Sequence, residues 1–237
     1  MSIHSVLFDL DNTLYDYDAA HASAWRALTA YAEAELGLSE ADFTALHEKA
    51  SRIVRARTGC EVVIHNRLIR YQVMLEKYGR PLKHAPRMAE LYWRTLLSHM
   101  QPMPGVYEVF DALRGMGLTL GVGTNMNADM QFLKLDRLGL IDRIDFIVTS
   151  EEVGTEKPDR RLFECCVEKA GCAKGECLFV GDNLHTDVLG ALNAGLKAAW
   201  LCIEGPKAAP PEGCFVIASL KELPEKILSC RKGVDPT

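Results

Sequence analysis

The fold is decided by a stretch near the start of the chain, residues 6–16, which reads VLFDLDNTLYD. An apolar run leads into two acids two residues apart, a pattern typical of a buried strand that ends in carboxylates. Because side chains on a strand alternate between its faces, Asp9 and Asp11 would point the same way, with Cα atoms roughly 6.5–7 Å apart. Like charges this close need a neutralising cation or a proton shared with a substrate. The alternative is a strand followed by a simple polar turn.

Beyond residue 104 the chain alternates apolar strand patterns with helical patterns. Strands are predicted over residues 118–125, 145–150, 176–182 and 197–203, and at the start of CFVIASLKELPEKIL. Helices are predicted between them, and Ser219 is a suitable N-cap for the last one. Such alternation with apolar strands indicates an α/β fold, in which helices cover both faces of a parallel sheet.

Residues 17–99 interrupt this alternation. They contain four helical patterns, namely AAHASAWRALTAYAEAELG, SEADFTALHEKASRIVRARTG, NRLIRYQVMLEKYG and RMAELYWRTLLSHM. Only the short run CEVVIH is ambiguous between strand and helix. The sequence therefore predicts two domains: an α/β core made of residues 1–16 and 100–237, and an inserted all-helical domain over 17–99.

Four polar stretches end predicted strands or open the helix that follows. They read DLDNT, GTN, EKPD and GDNLHTD. Since ligands on open parallel sheets bind at the carboxyl ends of the strands, we expect these stretches to meet at one edge. They supply seven candidate site residues: Asp9, Asp11, Thr124, Asn125, Lys157, Asp182 and Asp187.

The chemistry of this set favours phosphoryl transfer. Acids without a matching His or Cys suit Mg²⁺, which takes one or two carboxylates and keeps waters and substrate phosphate as its other ligands. Phosphoryl transfer needs such a metal, a cation near the equatorial oxygens, a nucleophile and a proton donor. A carboxylate can be the nucleophile and form an aspartyl-phosphate.

In order and spacing, the four stretches resemble the four motifs of the haloacid dehalogenase-like (HAD) hydrolase superfamily. The resemblance covers residues 1–16 and 100–205, and SEEVGTEKPDRRLF and GDNLHTDVLGALNAG are similar to the subgroup with a helical cap inserted after motif one. It implies a Rossmann-like core with a cap domain. It also implies a Mg²⁺-dependent phosphatase that cleaves a small phosphorylated metabolite through an aspartyl-phosphate.

The resemblance also implies a role for each motif residue. Asp9 would attack phosphorus, and Asp11 would protonate the leaving oxygen and then activate water. Asp9, the main-chain carbonyl of Asp11 and Asp182 would hold Mg²⁺, with Asp187 in support.

In the same comparison, the second and third motifs would bind substrate. Thr124 and Lys157 would bind the transferring phosphoryl group, and Asn125 would help to orient that region. Taken alone, Thr124 and Asn125 are more typical of a simple turn, and Lys157 of a solvated helix start.

The motif residues also bear on functions other than phosphatase activity. Asp11 argues against the dehalogenase and phosphonatase branches, in which the second acid of motif one is missing. A phosphomutase keeps both acids, and a non-catalytic Mg²⁺-dependent phosphoacceptor or regulatory binding protein has a similar pocket, so both stay open. The substrate stays open among sugar phosphates, nucleoside monophosphates and acylneuraminate phosphate.

The helical insert carries two arginines one turn apart, Arg67 and Arg70. Such a pair forms either a solvated or salt-bridged face, or a recognition site for an anionic leaving group. The second interpretation makes Arg67 and Arg70 candidate substrate-binding residues.

Composition limits the partners and the cellular compartment that the sequence predicts. A net charge of −5 over 237 residues offers no basic field for a nucleic acid polymer. No apolar run reaches the length of about 18 residues that a membrane span needs. With no secretion signal pattern, and with eight cysteines but no CxxC pair, we expect reduced thiols and a cytoplasmic protein. The sequence gives no indication of oligomeric state.

Overall fold

The computed structural model describes residues 2–58, 61–206 and 209–231. Six parallel strands form one sheet in the order β3-β2-β1-β4-β5-β6. They are β1 (Ser5–Phe8), β2 (Thr119–Thr124), β3 (Phe146–Thr149), β4 (Cys177–Gly181), β5 (Lys197–Leu201) and β6 (Cys214–Ile217). The predicted α/β fold class is confirmed.

Strand β1 lies in the middle of the sheet and is buried along its whole length. Its last residue, Phe8, is in register with Val122 of β2 on one side and Val180 of β4 on the other. The strand order runs outward from β1 in both directions, which is the doubly wound arrangement with a ligand crevice where the order reverses. Residues that follow β1, β2 and β4 therefore lie at that crevice.

The segment after β1 is helical, as predicted. It contains α1 (Tyr17–Leu36), α2 (Glu40–Thr58), α3 (Arg67–Lys77) and α4 (His84–His99). The ambiguous run CEVVIH contributes a short 3₁₀ helix at Glu61–His65, whereas Cys60 lies outside the described residues. The chain divides into two compact units, with residues 17–101 in one and the described residues before and after them in the other.

The helical unit has a core of its own. Its helices bury apolar and aromatic side chains against one another, including Leu28, Phe43, Tyr71, Met88 and Tyr92. Asn66 begins α3 as an N-cap, because its Oδ1 accepts a hydrogen bond from the backbone N–H of Ile69 at 3.2 Å.

The remaining helices belong to the α/β unit. They are α5 (Val106–Gly115), α6 (Ala128–Arg137), α7 (Ser150–Val153), α8 (Arg160–Ala170), α9 (Gly190–Ala194) and α10 (Leu223–Arg231). A wider, π-helical turn at Leu184–Leu189 leads into α9. Ser219 is the N-cap of a 3₁₀ helix at Leu220–Glu222 that leads into α10. Its Oγ accepts from the backbone N–H of Lys221 at 3.3 Å, and its own backbone N–H donates to Glu222 Oε1 at 3.0 Å.

The end of the first strand differs from the prediction. Strand β1 stops at Phe8, so neither Asp9 nor Asp11 lies on it. The backbone N–H of Asp9 still donates to Val180 O at 2.9 Å, but the chain then turns, and Asn12 adopts a left-handed conformation with φ 60°. The two carboxylates therefore take their directions from this turn, and strand alternation does not make them point the same way.

None of the helices within the described ranges contains the long apolar stretch that a membrane-spanning helix requires. The cysteines whose side chains are described are all free thiols: Cys165, Cys166, Cys172, Cys177, Cys202 and Cys214. The prediction of reduced thiols also covers Cys60 and the side chain of Cys230, which lie outside the described part of the structure.

Candidate active site

The four polar stretches meet at the carboxyl edge of the sheet, around a cavity of about 200 Å³. All seven residues predicted for the core site line it: Asp9, Asp11, Thr124, Asn125, Lys157, Asp182 and Asp187. Asn12, Asn183 and Thr186 complete the lining. The cavity is large enough for a phosphate group together with a metal and water.

A buried lysine forms the centre of the site. The Lys157 side chain is 3% exposed, and its Nζ lies 2.5 Å from Oδ1 of Asp9 and 2.8 Å from Oδ1 of Asp187. The loop that carries Lys157 is fixed by Asn125, whose Oδ1 accepts from the backbone N–H of Lys157 at 2.8 Å. The ammonium group is thus held beside the carboxylate of Asp9 before any substrate binds.

Two of three clustered carboxylates contact this one lysine. Ligand oxygens of Asp9, Asp182 and Asp187 all lie within 4.8 Å of one another. Asp187 packs directly against Gly181 at the end of β4, where the missing side chain leaves space for it. A Cβ added at Gly181 would lie 2.5 Å from Asp187 Cβ. The backbone N–H of Asn183 then donates to Asp187 Oδ2 at 3.1 Å and orients the carboxylate inward.

The excess of acids affects protonation. Burial, with the added charge of Asp187, raises the pKa of Asp9 to about 8 although Lys157 opposes the shift. Burial and Asp187 likewise raise the pKa of Asp182 to about 6. Burial disfavours the charged form of Lys157, but Asp187 and Asp9 outweigh it and raise its pKa. The lysine therefore stays charged, and without a further cation the three acids retain a proton.

These residues fit a magnesium ion. The donors are carboxylate oxygens within reach of a common point, they carry more negative charge than Lys157 balances, and none is a thiol or imidazole. Hard oxygen donors with room for water and phosphate are what Mg²⁺ selects. Asp9, Asp182 and Asp187 are the residues of this structure that would hold it.

The second acid of the first motif has a cation of its own, which was not among the residues predicted from the sequence. Lys134 on α6 is completely buried, and its Nζ lies 2.7 and 3.0 Å from the two carboxylate oxygens of Asp11. The hydroxyl of Tyr15 donates to Asp11 Oδ1 at 2.5 Å. Lys157 therefore does not neutralise both acids, because each of Asp9 and Asp11 has its own lysine.

The same helix also fixes the second motif. Gln131 Nε2 donates to Thr124 Oγ1 at 2.6 Å and to the carbonyl oxygen of Asn125 at 3.2 Å. Gln131 and Lys134 are one turn apart on α6, so a single helix face orients both the Thr124 hydroxyl and the Asp11 carboxylate. A glutamine and a lysine at this spacing, in a helix that directly follows a motif strand, are the signal that could have identified them.

The two arginines predicted to bind substrate lie in the helical unit on α3. Arg67 is buried and Arg70 half-buried. Both line a cavity within that unit, and their role in substrate binding stays a prediction.

The raised carboxylate pKa values predict a pH-dependent response to Mg²⁺. In EDTA, the folded cluster binds more protons than the unfolded chain, whose Asp groups titrate near 3.8. The stability that this cluster contributes therefore falls as pH rises from about 4 through 8. Because Mg²⁺ replaces the protons, we expect it to raise Tm more at pH 8 than at pH 5.5, measured by scanning fluorimetry.

The Asp182→Asn variant is the control for this measurement. It removes one acid from the cluster, so its Mg²⁺-induced rise in Tm should be smaller and less dependent on pH. A rise in Tm that is equal at all pH values in the unmodified chain would contradict the prediction.

Comparisons with known proteins agree with the geometry. The sequence model of the haloacid dehalogenase-like hydrolases matches residues 3–195, which include all four motifs. A ribulose-1,5-bisphosphate 5-phosphatase of Halopiger xanaduensis is 34% identical over 81% of this chain and 82% of its own length. A pyrimidine 5'-nucleotidase of Escherichia coli is 34% identical over 62% of this chain and 67% of its own.

A solved structure extends the match to the whole fold. The crystal structure of a HAD phosphatase from Thermococcus onnurineus superposes with a TM-score of 0.72 at 27% identity. The match covers 95% of this chain and 98% of that one, so it includes the helical segment as well as the sheet.

Proposed function

Because the chain belongs to the haloacid dehalogenase-like hydrolase family, in its phosphatase branch, we propose that it hydrolyses a small phosphorylated metabolite through an aspartyl-phosphate, with Mg²⁺ as cofactor. The observation that carries the proposal is the buried contact between Lys157 Nζ and Asp9 at the wall of the 200 Å³ cavity. This contact supports the proposal, because a carboxylate that can act as a nucleophile lies beside a cation that can bind phosphoryl oxygens.

The first step transfers the phosphoryl group to the protein. A carboxylate oxygen of Asp9 forms a bond to phosphorus as the bond from phosphorus to the ester oxygen breaks. Asp11, protonated for this step, gives its proton to the leaving oxygen, so the alcohol departs neutral. Lys157 faces the negative charge on the phosphoryl oxygens, and the Thr124 hydroxyl at the same cavity binds one of them.

The second step returns the protein to its starting state. Asp11, now a carboxylate, takes a proton from a water molecule whose oxygen bonds to phosphorus as the Asp9–phosphorus bond breaks. The products are inorganic phosphate and the free carboxylate of Asp9. Asp9, Asp182 and the main-chain carbonyl of Asp11, with Asp187 in support, would hold Mg²⁺, which would supply positive charge for the phosphoryl oxygens.

The substrate we propose is a sugar phosphate, a nucleoside monophosphate or an acylneuraminate phosphate. The relatives reported above support the first two classes, since one is named for ribulose 1,5-bisphosphate and the other for pyrimidine 5'-nucleotides. No nucleic acid or membrane is needed for this chemistry. We propose a cytoplasmic location for this reaction.

The test is release of inorganic phosphate by the purified chain. Ribulose 1,5-bisphosphate, UMP, N-acetylneuraminate 9-phosphate and p-nitrophenyl phosphate are compared with Mg²⁺ and with EDTA. We expect turnover that requires Mg²⁺ and favours one metabolite ester. A phosphorylated isomer in place of free phosphate would point to a phosphomutase, and one turnover without release would point to a phosphoacceptor protein.

A further inference from the structure

The helical unit contains a polar cavity of about 310 Å³ that the phosphoryl-transfer chemistry does not use. Helices α1, α2 and α3 each contribute part of its wall. Arg67 and Arg70 from α3 face His47 from α2, and Trp25 and Tyr17 from α1 form an aromatic side. The cavity thus combines two guanidinium groups with flat rings.

The guanidinium of Arg67 is held in place by neutral groups. Its Nη2 donates to the hydroxyl of Tyr92 at 2.6 Å and to that of Tyr17 at 3.3 Å. Its Cζ lies 3.6 Å from the centroid of the Tyr92 ring, in a cation–π contact. These contacts fix the orientation of the charge and leave it unneutralised.

The positive charge of Arg70 also lacks a counter-ion among the described residues. Arg70 Nη2 donates to the carbonyl oxygen of Ile64, and its buried Nε has no hydrogen-bond partner among the described residues. Within the described part of the chain, no carboxylate lies within 4 Å of either guanidinium. Glu48, the acid in the cavity wall, is 61% exposed and lies 3.9 Å from Arg52 instead.

A histidine beside the arginines is also unsatisfied. His47 Nε2 is buried and makes no hydrogen bond with any described residue. Burial and the charges of Arg70 and Arg67 lower the pKa of His47 to about 3, so the ring is neutral at pH 7. Burial, Arg67 and Arg70 also lower the pKa of His21, against the opposing charge of Asp18.

Buried cations without a counter-ion are unfavourable, and buried polar atoms without partners are rare. An anion in the cavity would correct both defects at once, because it would neutralise Arg67 and Arg70 and accept a hydrogen bond from His47. The cavity volume exceeds that of a lone phosphate or carboxylate group, which leaves space for an attached ring against Trp25 and Tyr17.

We propose that this cavity binds a small organic anion, with its carboxylate or phosphate group against Arg67 and Arg70 and its body against the aromatic side. Two kinds of anion share this chemistry: a second charged group of the substrate, and a separate effector molecule. The first kind rests on the proposed function, whereas the second does not.

Direct binding to the full chain tests the cavity independently of catalysis. The probes are benzoate, its uncharged analogue benzamide, and inorganic phosphate, followed by calorimetry and by tryptophan fluorescence. We expect benzoate to bind with one-to-one stoichiometry at least tenfold more tightly than benzamide, equally well in EDTA and in the Asp9→Asn variant. Failure of both benzoate and phosphate to bind at millimolar concentration outside the Asp9 site would overturn the proposal.

Substitutions then assign the site to the arginines. Arg67→Met and Arg70→Met should each weaken benzoate binding at least tenfold, whereas Arg94→Gln, which changes an arginine 70% exposed on α4, should leave it unchanged. A binding role also predicts that Arg67→Met keeps or raises Tm, because an unneutralised buried charge is removed. If both methionine variants fold and bind benzoate normally, the proposal fails.

Kinetics distinguish the two kinds of anion. If the anion belongs to the substrate, benzoate should raise the KM of the preferred metabolite ester and leave kcat unchanged. If the anion is an effector, benzoate should change kcat at saturating substrate. Either result supports the cavity as an anion site; no effect on either constant, together with no binding, would exclude it.

Discussion

The Asp9→Asn variant should lose at least about 10³-fold in kcat on p-nitrophenyl phosphate in the presence of Mg²⁺. The amide that replaces the carboxylate is a poor nucleophile, and it also removes one of the three acidic groups that would hold the metal. Both effects act on the same step, so neither a higher metal concentration nor a higher substrate concentration should restore the rate. The measurement is the steady-state release of p-nitrophenolate.

The Asp9→Asn variant should lose activity without losing stability. Lys157 keeps Asp187 as a partner at 2.8 Å in this variant, and the removal of a buried acid with a raised pKa relieves an unfavourable charge. We therefore expect an unchanged or higher Tm. Asp111→Asn is the matched control, because Asp111 is 69% exposed on α5 and pairs with Arg143 at the surface. Asp9→Asn activity above a tenth of the normal value would exclude Asp9 as the nucleophile.

The meeting of the motifs at one edge could be predicted because topology alone dictates it. Each motif ends a strand of a parallel sheet or opens the helix that follows, and all strands of such a sheet end on the same side. The structure accordingly brings Asp9, Lys157, Asp182 and Asp187 together although 178 positions separate the first from the last. No knowledge of side-chain packing was needed for this result.

Topology alone does not predict that α6 orients Thr124 and Asp11, because the apolar residues of this helix indicate the wrong buried face. Phe132 and Leu133 suggest a buried face, yet both are 46% exposed. The buried stripe instead contains Gln131 and Lys134 beside Leu135. A charged residue on the buried side of a helix requires a partner far away in sequence, and the partner here, Asp11, is 123 positions distant.

The direction of the two acids depends on a feature that strand patterns do not encode. Alternation along an ideal strand would direct Asp9 and Asp11 to one common cation. The turn that begins after Phe8 instead directs Asp9 to Lys157 and Asp11 to Lys134. The separation is useful chemically, because a nucleophile and a proton donor need different environments.

The Asp11→Asn variant should separate the two steps of the reaction. Asparagine can neither protonate the leaving oxygen nor activate water, so kcat on an alkyl phosphate ester should fall by about 10²–10⁴-fold. With p-nitrophenyl phosphate, whose leaving group needs little protonation, the first step should still occur. We expect a burst of one p-nitrophenolate per chain, followed by slow turnover, and intact-protein mass should show one added phosphoryl group. Linear release without a burst, at the normal rate, would exclude Asp11 from both steps.

Lys134 acts through Asp11, and its substitution should reproduce part of this behaviour. Lys134→Met leaves Tyr15 as the remaining partner of the Asp11 carboxylate, at 2.5 Å, so the proton donor is retained but less well oriented. Misplacement of this kind should lower kcat by about 10²-fold on an alkyl ester and much less on p-nitrophenyl phosphate, with KM unchanged. Lys174→Met, which changes a lysine 40% exposed beside Glu164, is the matched control. Equal losses on both esters would instead make Lys134 a structural residue of the fold, since only a residue that orients the proton donor can make the loss depend on the leaving group.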